Sequence, residues 1–339
     1  MPASYTLPSG LLSTFDVGFF GSVSAVHHED LTDVLTIIDS FQTPFFSGAP
    51  KIRAKDVIHS WTVDTLTAVS SAGAPDGVDH TGDTLTTPVR LFNGTQLFRR
   101  DVVVSDRERD ANPAGIRDMY EHQIMKEFKV LARNCEYSIF RNATASGAAA
   151  LGSASGVESS AASGAPIMAG LRGTFGYTGN IYASASASGQ FATSDMTNVA
   201  QALFVNGAEP DSLWLAPATK LQFVNATLGS AINVRNIAAT DQRLVANIDV
   251  FETPFGQLFA VITDRFIPMG LTSASGYAYF VGDRSMAKLA FYRPPQHKEM
   301  GKSGDNTKGI VLMELTLEMT HPSAWGMVSS VVGASGLVT

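Results

Sequence analysis

The stretch HKEMGKSGDNTKGIVLMELTLEM, residues 297–319, carries a GKS in a glycine-rich setting and decides how the chain is read. A phosphate-cradling loop needs G-x-x-x-x-G-K-[ST] between a buried strand and a helix, so that backbone amides wrap the phosphates. The upstream glycine of that pattern falls at position 296, which is Gln296. The residues after Lys302 and Ser303 do not have a helical period either. Val311, Met313, Leu315, Leu317 and Met319 alternate with Glu314, Thr316, Glu318 and Thr320. Alternation with period two predicts a half-buried strand, and the Gly301, Gly304, Asp305, Asn306 cluster before it predicts a strand-to-strand turn. The motif is structural.

The composition points the same way. Of 339 residues, 45% are hydrophobic and only 16% charged, against about 25% charged in ordinary soluble domains. A chain with so little charge suits a protein that hides much of its exterior against other subunits. Two domains fit within this length. The net charge of −7 argues against a dedicated nucleic-acid binder. One cysteine, Cys135, excludes an intramolecular disulfide and suits a reducing compartment. Neither a secretion signal nor an uninterrupted membrane-spanning run is present, so the expectation is a protein made and used without crossing a membrane.

Working outward from the strand, residues 1–50 lack a sustained period and are rich in Gly, Ser and Pro. Their scattered Phe and Leu imply burial against something else. Within them, EDLTDVLTIIDS (29–40) places Leu31, Val34, Leu35 and Ile38 on one helical face, and Pro44 forbids continuation. HSWTVDTLTAV (59–69) and PVRLFNGTQLFRRDVVV (88–104) read as strands around the polar loop SSAGAPDGVDHTGDT, a protruding β-hairpin. An isolated hairpin is marginal in water, so this one needs a neighbour to lie on.

The clearest helix runs from Asn112, a candidate cap, and Pro113 to Asn142, about 45 Å at ~1.5 Å per residue. Ile116, Tyr120, Ile124, Phe128, Leu131, Cys135 and Ile139 share its apolar face. Residues 143–165 read as an Ala/Ser/Gly linker. The block up to about residue 295 is mixed: helices at 193–207 and 217–229, a buried strand at DSLWLAP, and strands VANIDVFE, QLFAVITDR, GYAYFV and MAKLAFY. The turn ETPFG joins the first two of these strands as a hairpin.

No catalytic constellation emerges. His27, His28, Glu29 and Asp30 are adjacent and cannot all face one ion on a regular backbone. Asp76, Asp79 and Asp83 miss the spacing and closing glutamate of a calcium loop. Cys135 lies on the spine's apolar face as a packed thiol, and His59, His122, His297 and His321 are scattered. Arg117, Lys126, Lys129 and Arg133 form a solvated or interface face of the helix. The reading therefore assigns no catalytic, cofactor-binding or metal-binding residue and no cofactor.

In their order along the chain these segments carry motifs of a known family: EDLTDVLTIIDSFQTPFFS, WTVDTL (61–66), NGTQLF (93–98), FGQLFAVITDR (255–265), and K-x-G-D…K-G-I…E-x-T-L-E (302–318). Over roughly residues 29–320 the chain resembles the major capsid proteins of tailed bacteriophages. Their fold is named after phage Hong Kong ninety-seven and is shared by encapsulins and herpesvirus capsid floors. The resemblance implies an α+β protein divided into an N-terminal arm (1–50), an extended loop or β-hairpin (51–105), a peripheral domain with the spine helix (106–165 and 301–339), and an α/β axial domain (166–300). It further implies a non-enzymatic homo-oligomer of pentamers and hexamers in an icosahedral shell around double-stranded DNA, assembled in the host cytoplasm and resident in the virion. Scaffolding, portal and decoration proteins are the other partners implied; a membrane is not. Some relatives weld subunits through a lysine on the extended loop, but residues 56–125 contain no lysine, so overlap here is expected to be non-covalent. The alternatives are an encapsulin-like shell around protein cargo, or a nucleotide- or metal-dependent enzyme resting on the GKS or HHED.

Overall fold

A computed structural model describes residues 41–67, 86–110, 116–142, 167–173, 181–183, 191–229, 248–267 and 276–332, except 303, with single positions between 69 and 79. The amphipathic segment 29–40 lies outside the described residues.

The organising element is β11 (Asn306–Met319). It pairs antiparallel with β10 (Ala287–Met300) on one side and with β4 (Gln96–Ser105) on the other. The short β1 (Lys51–Arg53) adds to β10 in parallel, completing a four-stranded sheet ordered β1-β10-β11-β4. The alternation read in the sequence holds, but its half-buried expectation is corrected. Val311, Met313, Leu315, Leu317 and Met319 enter the core on one face, while Glu314, Thr316 and Glu318 on the other are buried too. The second face is covered by β2 (Ile58–Val63) and β3 (Val89–Gly94), a two-stranded antiparallel hairpin. Its charges are tolerated because they are paired: Arg293 Nε donates to Glu314 at 2.6 Å and Thr95 Oγ1 at 2.8 Å, and His59 meets Glu318 at 2.5 Å.

The run 88–104 is thus two strands rather than one. After Gly94 the chain leaves the hairpin, buries Thr95 against Glu314, and continues as the edge strand β4. β10 is longer than the alternation of MAKLAFY implied. It passes through Pro294 and Pro295 with register shifts, where two missing amide donors force irregular pairing.

Against the first face lies the spine helix α3 (Met119–Arg141), which follows the short α2 (Asp106–Asp110). Its start is corrected from the sequence reading. The cap is Asp118, whose carboxylate accepts from Tyr120 N at 2.8 Å. Ile116 is not helical, and Asn112 and Pro113 lie outside the described residues. The 23-residue helix is therefore about 35 Å long, not 45. Leu131, Cys135 and Ile139 are completely or almost completely buried, and Ile124 and Phe128 pack on the same core.

A second sheet, ordered β5-β12-β9-β6-β8-β7, forms the other half. It comprises β5 (Ile181–Ala183), β6 (Ser212–Leu215), β7 (Val250–Glu252), β8 (Leu258–Thr263), β9 (Gly276–Gly282) and β12 (Trp325–Val332). Helices α4 (Thr193–Val205) and α5 (Pro217–Gly229) accompany it, with Met196, Val199, Leu203 and Phe223 in its apolar cluster. α4 closes at Gly207, whose φ of 80° is one that a side chain disfavours. The ETPFG turn joins β7 to β8 as read, with Gly256 at φ 79°. Trp214, Phe280 and Trp325 face the other way and join this sheet to the spine's core.

Pro44 occupies the first turn of α1 (Pro44–Gly48), the root of the N-terminal segment. Phe45 drops into an aromatic nest with Phe140 at 5.6 Å, Trp214 at 5.3 Å and Trp325 at 6.0 Å between ring centroids. One side chain thus ties α1 to α3 and to both sheets' shared core.

Candidate functional site

The GKS turn holds its own anion. Lys302 Nζ lies 2.7 Å from Asp106 Oδ2, and Thr307 Oγ1 donates to Asp106 Oδ1 at 2.7 Å. Those two hydrogen bonds, Lys302's first, hold the Asp106 carboxyl below its usual range. A lysine facing a carboxylate at the head of β11 positions a turn; it does not cradle phosphate.

Other sequence candidates disperse. His27, His28, Glu29, Asp30 and Asp83 lie outside the described residues, and Asp76 and Asp79 are exposed beside the turn glycine Gly77 at φ 75°. Cys135 is fully buried, and burial pushes its thiol well above the usual range, away from nucleophilic use. His297 hydrogen-bonds Tyr120 Oη at 3.0 Å, bridging β10 to the spine. Among the described residues, no three His, Cys, Asp or Glu side chains could hold a metal ion, and no helix is long and apolar enough to cross a membrane.

The most perturbed chemistry sits where sequence reasoning did not look. Glu136, on α3, is fully buried and accepts hydrogen bonds from the amides of Phe45 and Phe46, both at 2.7 Å. Asp264, just after β8, is equally buried. Its Oδ1 accepts from Phe266 N at 2.8 Å, while Oδ2 has no protein donor. The neighbouring Glu136 carboxyl fills that gap only if one proton sits between the two acids. Burial, then the hydrogen bond and charge of Asp264, push Glu136 up to about 9; burial likewise raises Asp264. In the sequence Glu136 falls among the helix's charged positions, and nothing there reveals that α1 folds over it. The pair ties α1 to α3 and to the chain just after β8.

The hairpin has the opposite character. Beyond Val63 it carries Leu66 at 97% and Val69 at 103% exposure, with Ile58 and Val89 about half exposed on its strands. Large aliphatic side chains fully in water just beyond a two-stranded ribbon have no core of their own among the described residues.

This fold occurs in a phage capsid and in an encapsulin. The cyanophage A-1(L) capsid asymmetric unit superposes with a TM-score of 0.65 at 13% identity, covering 90% of this chain and 97% of that one. The holo-SrpI encapsulin complex from Synechococcus elongatus PCC 7942 superposes with 0.53 at 12% identity, covering 90% and 95%. In sequence, the major capsid protein of Escherichia phage Phieco32 is 21% identical over 338 residues, 88% of this chain and 93% of that protein. The SU10 major capsid protein family model matches residues 10–332, and the chain belongs to that family. It is a structural protein of the phage head shell.

Proposed function

We propose that the chain assembles through pentamers and hexamers into an icosahedral head shell of the Hong Kong ninety-seven type around double-stranded DNA, without catalysing a reaction. Assembly takes place in the host cytoplasm, where scaffolding and portal proteins, and later decoration proteins, meet it. The observation that carries this reading is the full exposure of Leu66 and Val69 beyond the hairpin strands, an apolar stretch suited to cover by another subunit. In the domain terms of that fold, residues 1–50 serve as the arm and 51–105 as the extended loop, the spine helix with the sheet of β10 and β11 as the peripheral domain, and the second sheet, β12 included, as the axial domain. The net charge of −7 supports weak, non-specific contact with the packaged genome rather than tight binding.

Negative-stain imaging and light scattering of the expressed chain test the reading. Closed shells, capsomers or tubes are expected, and Leu66→Asp with Val69→Asp should abolish them while leaving thermal unfolding unchanged. A species of about 36 kDa under every salt and crowding condition, matching the 36.0 kDa subunit, would refute it. Shells purified from infected cells should protect DNA from nuclease; protein cargo in place of DNA would favour the encapsulin-like alternative.

A further inference from the structure

The spine helix presents a basic stripe to solvent. Lys126 and Lys129 are exposed, with His122 and Arg133 half-buried on the same face at spacings of four, three and four. Beside them Met125 is 65% exposed. Among the described residues, neither Lys126 nor Lys129 is paired with a carboxylate. Of the acids along this face, Asp118 caps the helix and Glu136 is taken up by the amides of Phe45 and Phe46, while Glu121 at the margin is exposed.

The chain's own N-terminal segment arrives at this stripe. Phe45 and Phe46 are bound to Glu136, and Phe41 then lies with its ring centroid 5.2 Å from Lys129 Nζ. Going backwards from Phe45 to Phe41, the path therefore moves seven spine positions, roughly 10 Å, toward the start of α3. Phe41 remains 61% exposed there, waiting for more cover. The residues that precede it, 29–40, read EDLTDVLTIIDS: Glu29, Asp30, Asp33 and Asp39 accompany the apolar face of Leu31, Val34, Leu35 and Ile38. Residues 1–50 contain no lysine or arginine at all. Twelve residues in helical form span about 18 Å, enough to run from Lys129 past His122 to the start of the spine.

We infer that residues 29–40 dock as an amphipathic segment along this stripe of the same subunit's spine helix. Their acids answer Lys126 and Lys129, and their apolar side covers Met125 and Phe41. The inference is independent of shell formation. It divides the arm, leaving residues 1–28 as the part free to reach a neighbouring chain.

The experiment uses full-length chains as dissociated subunits, heavy-isotope-labelled and unlabelled in equal mixture, treated with a zero-length carbodiimide that joins amines to carboxylates. Mass spectrometry should find amide links from Lys126 or Lys129 to Asp39, which flanks the apolar face, always between peptides of one isotope. Mixed-isotope links mean that a second copy occupies the stripe, and their dominance, or an absence of links, overturns the inference. A second measurement guards against unreactive geometry. Chymotryptic cleavage at Leu31 and Leu35 should be about tenfold faster in Lys126→Glu/Lys129→Glu than in wild type, because the docked segment must open before it is cut. An unchanged cleavage rate refutes the docking.

Discussion

Replacing Asp264 with asparagine should stabilise this protein at neutral and alkaline pH and leave it nearly unchanged at pH 5. The introduced amide oxygen can keep the hydrogen bond from Phe266 N, while the amide nitrogen takes the place of Oδ2, the buried oxygen without a donor. That nitrogen supplies Glu136 with a hydrogen bond that in wild type requires a bound proton. Glu136 holds its proton to about 9 in the folded state, against 4.5 ordinarily. Between those values the folded chain binds more protons than the unfolded one, so stability falls as pH rises. Each pH unit above 4.5 costs about 1.4 kcal/mol, and by pH 7 the loss amounts to about 3 kcal/mol relative to acid conditions. Burial, the first cause, persists in the variant, so only part of this loss is relieved, and the thermal midpoint at pH 7 should rise by about 2 °C. The assay is thermal unfolding of the dispersed full-length chain from pH 5 to pH 9, with wild type and Asp264→Asn side by side. The two profiles should converge at pH 5 and diverge steadily above it. Parallel profiles, whatever their offset, would refute the shared proton.

Leu315→Asp places a charge where the wild-type side chain is 0% exposed, between the sheet and the spine. A loss on the order of 5 kcal/mol is expected, seen as insoluble expression beside a soluble wild type. Lys302→Ala removes an exposed partner of Asp106 and should leave assembly, nucleotide response and the thermal midpoint within about 2 °C of wild type. Deleting residues 1–28 should abolish shells in sedimentation while calorimetry still records a cooperative transition.

Elements whose stabilising contacts are close in sequence were legible. The alternation in 311–319, the apolar face from Tyr120 to Ile139, and the Gly207 and Gly256 stops each report a local period or backbone need, and each stands in the structure. The errors occur where a partner distant in sequence decides. Glu314 and Glu318 looked like a solvated face because their spacing matches a half-exposed strand; only the hairpin from residues 58–94, folding over them, buries both. Thr95 reads as strand interior, yet it marks the point where the ribbon leaves the hairpin for the sheet, fixed by Glu314, 219 residues away. The spine's start moved from Asn112 to Asp118 because two competent caps lay within one turn and a half, and local propensity alone does not rank them.

The same logic explains why the clamp at Glu136 left no trace in the sequence. A glutamate followed by tyrosine and serine on an amphipathic helix is the ordinary composition of a solvated face. What converts it into a buried, proton-holding group is the return of α1 from 91 residues upstream, with two free amides that need an acceptor. The first turn of any helix leaves such amides unpaired, and α1 has neither a capping side chain nor an acid in its own first turn. Glu136 supplies the missing acceptor from the spine, and burying it then requires the proton that Asp264 shares. One unmet local requirement in α1 thus fixes the position of a distant acid, whose pKa burial raises against the lowering pull of the two amides. It also makes the attachment of arm to spine depend on pH.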